Sequence, residues 1–220
     1  MQKIENTASS GDHGNHFEGA LSGARYDRLA ALTGFGPRLY RRAAAEIPLR
    51  KGMRVLDVGC GTASLGLAIA GQIGAGGQIH CLDLSAQQLA YARHKSNGVE
   101  PFFEFHQGSM AELPFEDATL DAVVSSLAFH AVGPKVRRDA LREVARVLKP
   151  HGLFALVDLS KPRLGLTALI WLPSLLFASD KENWNNVYPS LCGEQGLHLD
   201  KDVYLNSLVR CQVFHKEKHT

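Results

Sequence analysis

The sequence is poor in cysteine. Cys60, Cys81, Cys192 and Cys211 are its only thiols, and no two stand at a CxxC or other zinc-like spacing. This argues against a cysteine-held metal and against a disulfide framework, and fits a reducing, cytoplasmic setting. Long apolar runs are missing too. The longest, LGLTALIWLPSLLF, falls short of the roughly 18 apolar residues a membrane-spanning helix needs, and Pro173 interrupts it. The opening stretch, MQKIENTASSGDHGNHFEG, has no apolar core of the kind a signal peptide carries, so residues 1–18 are expected to form a flexible polar arm. His13 and His16 lie in that arm with no third ligand nearby, and no metal site is expected. An excess of one charge is also lacking. The net charge of +2 does not call for a nucleic-acid partner.

What is present is ordinary globular composition, 45% hydrophobic and 21% charged, over 220 residues, enough for one α/β domain with a short extension. The charge is unevenly placed. Arg25, Arg28, Arg38, Arg41, Arg42, Arg50, Lys51 and Arg54 are opposed within their stretch only by Asp27 and Glu46. Such a run is either a solvated helix face or a surface for anionic lipid or an acidic substrate.

Residues 19–48 read as two helical pieces broken at Thr33–Gly36, with Pro37 in the first turn of the second and Pro48 ending it. Strand and helix then alternate. MRVLDV, QIHCLDL, PFFEFHQG, LDAVVSS and LFALVDL are the expected strands. TASLGLAIAGQI, SAQQLAYARHKSNG and PKVRRDALREVARVLKP are the expected helices, the second capped by Ser85 and the third carrying Val136, Ala140, Leu141, Val144, Val147 and Leu148 along one stripe. Pro150–His151–Gly152 is expected to end that third helix. This alternation predicts an α/β fold, a parallel sheet covered on both faces, with every parallel strand ending on one edge. GLHLDKDVYLNSLVRCQVFHK reads as two strands with a short turn and no helix, hence an antiparallel hairpin on the edge of the sheet.

The chemistry sits at the strand ends. In Asp57-Val58-Gly59-Cys60-Gly61-Thr62-Ala63 two glycines allow a strand to turn directly into a helix and a ligand to approach the backbone. Ser64 stands where a dinucleotide loop would have its third glycine. Asp83 follows Gly61 by 22 residues at the end of the next strand, where a carboxylate accepts ribose hydroxyls or helps cap the helix that follows. Together these favour an adenosine-bearing cofactor. A dinucleotide would bring a pyrophosphate against Asp57, which repels it, so an NAD-dependent oxidoreductase is the weaker reading. S-adenosyl-L-methionine brings an ammonium, which Asp57 attracts, and a carboxylate, which the amides of the turn would meet.

The blocks VLDVGCGTA, CLDLS, HQGSMAELPFEDATLDAVVSSLAFH and LREVARVLKPHGLFALVD, in this order, resemble class I S-adenosylmethionine-dependent methyltransferases, and most closely the branch that includes ubiquinone/menaquinone C-methyltransferases and bacterial phospholipid N-methyltransferases. The resemblance runs from about Tyr26 to Leu159. It implies a three-layer Rossmann-like sheet, mostly parallel, with the C-terminal hairpin supplying an antiparallel strand. It implies S-adenosyl-L-methionine as cofactor and S-adenosyl-L-homocysteine as product. By the same resemblance Asp57, Gly59, Cys60, Gly61 and Thr62 line the methionine end of the cofactor. Asp83 holds its ribose, Leu84 packs on the adenine, and Ser109 and Met110 flank the adenine edge. Ser125, Ser126 and Leu127 face the cofactor from the other side, and Tyr26 closes over it. Two positions depart from the family pattern. Ala63 replaces a frequent glycine, and Ser109 replaces an aspartate, losing charge assistance to the adenine amino group. No Asn/Asp-Pro-Pro-aromatic motif follows the fourth strand, so a nucleic-acid substrate is not expected.

Methyl transfer from a sulfonium needs alignment and exclusion of water, and a base only when the acceptor must lose a proton. His130, five residues after Ser125, is the candidate base or substrate contact. Residues 160–196 are expected to cover the substrate side. Leu164 to Phe177 within them are apolar beyond one helical face, which marks either a buried lid or a surface in contact with lipid. The expected acceptor is small and apolar or lipid-like, with peripheral membrane contact in view. The other reading carried forward is a non-catalytic protein that binds S-adenosylmethionine.

Overall fold

The computed structural model describes residues 23–171 and 185–217, the side chain of Tyr26 excepted. The expected arm over residues 1–18 lies outside them, as do residues 172–184 of the expected lid.

Two helices come first, α1 (Ala24–Leu32) and α2 (Pro37–Glu46), with Pro37 in the first turn of α2. Then follow β1 (Arg54–Val58), α3 (Ser64–Ile73), β2 (Gln78–Asp83), α4 (Ala86–Lys95), β3 (Phe102–Gln107), β4 (Leu120–Ser126), α5 (Pro134–Val147) and β5 (Leu148–Leu159). The short helices α6 (Leu166–Ile170) and α7 (Tyr188–Gly193) precede the hairpin β6 (Leu197–Tyr204) and β7 (Val209–Lys216). The sheet has seven strands in the order β3-β2-β1-β4-β5-β7-β6. β1 to β5 are mutually parallel, and β7 pairs antiparallel with both β5 and β6.

Alternation along each strand sorts the core into two layers. Val55, Ile79, Val124 and Val157 face α2, α3 and α4, whereas Leu56, Leu82, Val123 and Leu156 face α5 and α7. The stripe expected on α5 is the face that packs: Ala140, Leu141, Val144 and Val147 are all buried. Ser85 caps α4 as expected, its hydroxyl accepting from the Gln88 amide at 3.3 Å.

The structure differs from the sequence reading in two places. β5 starts directly at Leu148, not at Leu153: the strand runs parallel to β4 throughout but bulges, with His151 at a φ of 63° beside a register shift between Leu120 and Ala122. The helix α7 was not expected; Pro189 suits its first turn, and it buries Tyr188 and Cys192. Because the chain leaves β3 for β4 on the far side of β1, the strand order reverses direction between β1 and β4. Ligands of open α/β sheets bind at such a switch point, outside the C-terminal strand ends.

Candidate active site

Four segments meet at that edge: the turn after β1, the end of β2, the loop after β4 and the end of β5. The turn reverses tightly. Gly59, Gly61 and Ala63 have φ values of 67°, 52° and 55°. A Cβ on Gly59 would lie 2.5 Å from the Ala128 Cβ, so this glycine lets the loop after β4 close against the turn. A Cβ on Gly61 would meet nothing within 4 Å, so the turn presents bare backbone to open space there.

Four amides of the turn, those of Gly59, Cys60, Gly61 and Ala63, are engaged within the fold. Gly59 and Cys60 both donate to the Leu82 carbonyl, at 2.8 and 3.0 Å, and Ala63 donates to the Cys60 carbonyl at 2.8 Å. The Gly61 amide donates to Asp83 Oδ2 at 2.8 Å. Asp83 Oδ1 accepts from the Ser85 amide at 2.9 Å. Asp83 therefore braces the turn and the start of α4 at once, and a carboxylate with about four acceptor positions retains capacity for two hydroxyls.

Asp57 is fully buried. Its Oδ2 accepts from the Gly66 amide at 3.0 Å, while Oδ1 has no hydrogen-bond partner. Burial pushes its carboxyl up to about 7; the Gly66 hydrogen bond opposes the rise, Asp83 adds to it, and Lys95 counters it. A buried carboxylate oxygen without a partner costs stability. An ammonium group would supply both a donor and a charge. The orphaned oxygen of Asp57, the open side of Gly61 and the carboxylate of Asp83 fit S-adenosylmethionine.

Thr62 is anchored by a polar knot that sequence reasoning missed. Its hydroxyl donates to Asp27 Oδ1 at 2.7 Å. Lys95 Nζ reaches Asp27 Oδ2 and Ser64 Oγ, each at 2.8 Å, and Thr62 Oγ1 at 3.2 Å. One ammonium thus joins α1, the turn, the start of α3 and the end of α4. A cavity of about 540 Å³ opens beside it, lined by Asp27, Phe35, Tyr40, Ser64, Tyr91 and Lys95 among others. Asp27 and Lys95 carried no motif; the only signal for them was a pair of opposite charges on helices flanking the turn.

The remaining expected residues divide. Leu84 is half-buried at the end of β2, its carbonyl accepting from Gln107 at 3.1 Å. Ser109 is half-buried and accepts from the Ala111 amide at 3.2 Å. Met110 is buried, its methyl 3.4 Å from the position a Gly59 Cβ would take. Ser126 and Leu127 are half-buried at the end of β4, Leu127 with φ 53°. Two side chains do not reach the edge. The Ser125 hydroxyl is buried and spent on the Val58 carbonyl at 2.8 Å, tying β4 to β1. The Cys60 thiol points into the core beside Cys81, and burial holds it well above the ordinary thiol range, so it contributes no thiolate. Tyr26 lies on α1, and its side chain is outside the described residues.

His130 sits on a single 3-10 turn, Phe129–Ala131, after β4. Its Nδ1 is 2.6 Å from Asp158 Oδ1, and its backbone amide donates to Asp158 Oδ2 at 2.9 Å. Asp158 is buried near the end of β5 and also accepts from the Leu159 amide. Sequence reasoning missed Asp158. The signal was there, because it ends its strand as Asp57 and Asp83 end theirs.

Away from this edge, His80, Glu104 and His106 place ligand atoms close together on β2 and β3. Arg54 Nε donates to His80 Nε2 at 2.9 Å, which leaves the proton of a neutral ring on Nδ1, facing His106 Nε2 at 3.1 Å. Burial and the neighbouring Arg54 push His80 down to about 4. The cluster is a hydrogen-bonded relay around a neutral histidine, and the arginine opposes a cation there.

A family model described as a methyltransferase domain matches residues 55–152. A demethylmenaquinone methyltransferase of Staphylococcus aureus is 34% identical over 142 residues, 64% of this chain and 58% of that protein. A ubiquinone/menaquinone biosynthesis C-methyltransferase of Pseudomonas fluorescens is 29% identical over 199 residues, 84% of this chain and 75% of that protein. The chain thus spans 58% of the length of the staphylococcal relative it matches. Among solved structures, a SAM-dependent methyltransferase from Aquifex aeolicus superposes with a TM-score of 0.68 at 21% identity, covering 87% of this chain and 95% of that one.

Proposed function

We propose that the chain is a class I S-adenosylmethionine-dependent methyltransferase, a reading supported by the methyltransferase-domain match and by its relatives, and that it methylates a small apolar or lipid-like acceptor, of the quinone class that its relatives' names indicate. When bound, S-adenosylmethionine supplies an electrophilic methyl group on a sulfonium whose thioether is a good leaving group. Asp57 would hold its ammonium and Asp83 its ribose, with Leu84, Ser109 and Met110 around the adenine.

The observation that carries an acid–base step is the His130–Asp158 pair on the cofactor edge. An ionised carboxylate only accepts hydrogen bonds, so Asp158 fixes the ring proton on Nδ1 and makes Nε2 the basic nitrogen. The backbone bond from His130 to the same carboxylate fixes where the ring stands. Nε2 takes the proton that the acceptor loses as its bond to the methyl carbon forms. Ala128, packed on Gly59, keeps this loop against the turn, which excludes water from the transfer.

The test offers labelled S-adenosylmethionine with a cell lipid extract and, separately, with a soluble metabolite extract. Label is expected in the lipid fraction; label in the soluble fraction alone would contradict the apolar acceptor. Asp158→Asn should lower kcat by about 10²–10⁴ and change the pH–rate profile while cofactor affinity holds. A variant with unaltered kcat would remove the pair from the mechanism.

A further inference from the structure

A second feature of the same edge is independent of the reaction. Among the described residues, the exposed large apolar side chains are concentrated on two elements. Leu29 and Leu32 lie on α1, the latter 81% exposed; Leu164 stands just before α6; Leu166, Leu169 and Ile170 lie on it. Those elsewhere are Val99, Phe102 and Leu199. No residue of α6 is buried, although the helix is apolar on most of its surface.

The helix is nonetheless fixed in place. The Trp171 indole donates to the Thr33 carbonyl at 2.9 Å and packs on Phe35 at 5.2 Å. The Ala168 amide donates to Ser207 Oγ at 2.9 Å, and Asn206 donates to the Gly34 carbonyl at 3.4 Å. Polar anchors and one aromatic therefore hold α6 to the α1–α2 turn and the β6–β7 turn, leaving its leucines outward. Between these elements runs a groove of about 450 Å³, lined by Leu32, Leu166 and Ile170 together with Arg38 and Arg42, and no carboxylate lines it. Arg28 and Arg41 are exposed on the same two helices.

We propose that this face docks on an anionic phospholipid bilayer, with the leucines entering the headgroup–acyl boundary and Arg38 and Arg42 meeting lipid phosphates. Apolar side chains rimmed by cations are the pattern of an interfacial contact. A second copy of the chain would bring the same arginines without a carboxylate in the groove to answer them. The basic run of the sequence divides accordingly. Arg38 and Arg42 line the groove, whereas Arg50, Lys51 and Arg54 lie at the start of β1, on the opposite edge of the sheet. The β6–β7 turn stands beside the end of β5, since Leu159 pairs with Val209, so the docking face borders the edge that carries Asp158. A docked molecule opens that edge toward the membrane, where an apolar acceptor resides.

The experiment is flotation of the full chain with phosphatidylcholine vesicles, with and without phosphatidylglycerol. Binding to the anionic vesicles is expected, weakened by salt. Leu166→Ser/Leu169→Ser and Arg38→Glu/Arg42→Glu should each weaken it by roughly tenfold or more. Thermal unfolding of both variants, whose changes are at exposed positions, checks that they fold. Absence of binding to anionic vesicles, or binding indifferent to both pairs of changes, overturns the proposal. A dimer that the leucine changes dissociate, without vesicle binding, assigns the face to a second copy. Each of these failures leaves the methyl-transfer assay untouched.

Discussion

Asp57 carries opposing demands. In the folded chain its carboxyl keeps a proton up to about 7, whereas an unfolded chain releases it near 3.8. Between those values the unfolded chain binds fewer protons, so this residue's contribution to stability falls as pH rises, and above about 7 the loss is complete. Asp57→Asn keeps the shape and the acceptor for Gly66 while removing the charge. The variant should therefore gain on the parent as pH rises from 4 to 7, reaching about 1–3 kcal/mol by urea unfolding at pH 8. The same change should weaken S-adenosylmethionine binding by about tenfold, ~1.4 kcal/mol, because the ammonium loses its counter-charge. A variant less stable than the parent at pH 8 would contradict the reading of Asp57 as a buried charge awaiting a partner. At this scale the sequence was partly legible. Asp57 and Asp83 stand at strand ends, which a motif reveals, and His130 follows β4 closely on the same edge. Asp158 and Lys95 act through partners 28 and 68 residues away, and pairings across the fold leave no local pattern.

Among the elements, α1 is tied to the cofactor turn through Asp27, by the Thr62 hydroxyl and by the Lys95 ammonium. Lys95→Met leaves Asp27 without its ion pair and Thr62 and Ser64 without their shared donor. The pair is about a quarter exposed, so solvent screening keeps the global loss near 1 kcal/mol. The effect should be local. Amide exchange is expected to accelerate in α1 and in the turn before it changes in β1 or β4; a uniform acceleration across the sheet would deny Lys95 this tethering role. Helices and strands were legible wherever periodicity or caps marked them, as in α5 with its buried stripe and α4 with its Ser85 cap. The early start of β5 was hidden because His151 takes a left-handed conformation that its residue type does not announce. α7 was hidden because six residues are too few to display a period.

At the scale of the molecule, a sheet that reverses order between β1 and β4 gathers three buried or half-buried carboxylates, a histidine and a glycine turn on one edge, with an apolar, arginine-rimmed face beside it. The described residues contain no helix long and apolar enough to cross a membrane. The fold alone is compatible with several cofactors. The choice rests on Asp57, which a pyrophosphate would be repelled by and an ammonium drawn to. The most direct test is calorimetric titration of the chain with S-adenosylmethionine and, separately, with NAD, repeated on Asp83→Ala. The account predicts one-to-one binding of S-adenosylmethionine, weakened in the variant, and no binding of NAD. Binding of NAD without S-adenosylmethionine would contradict it.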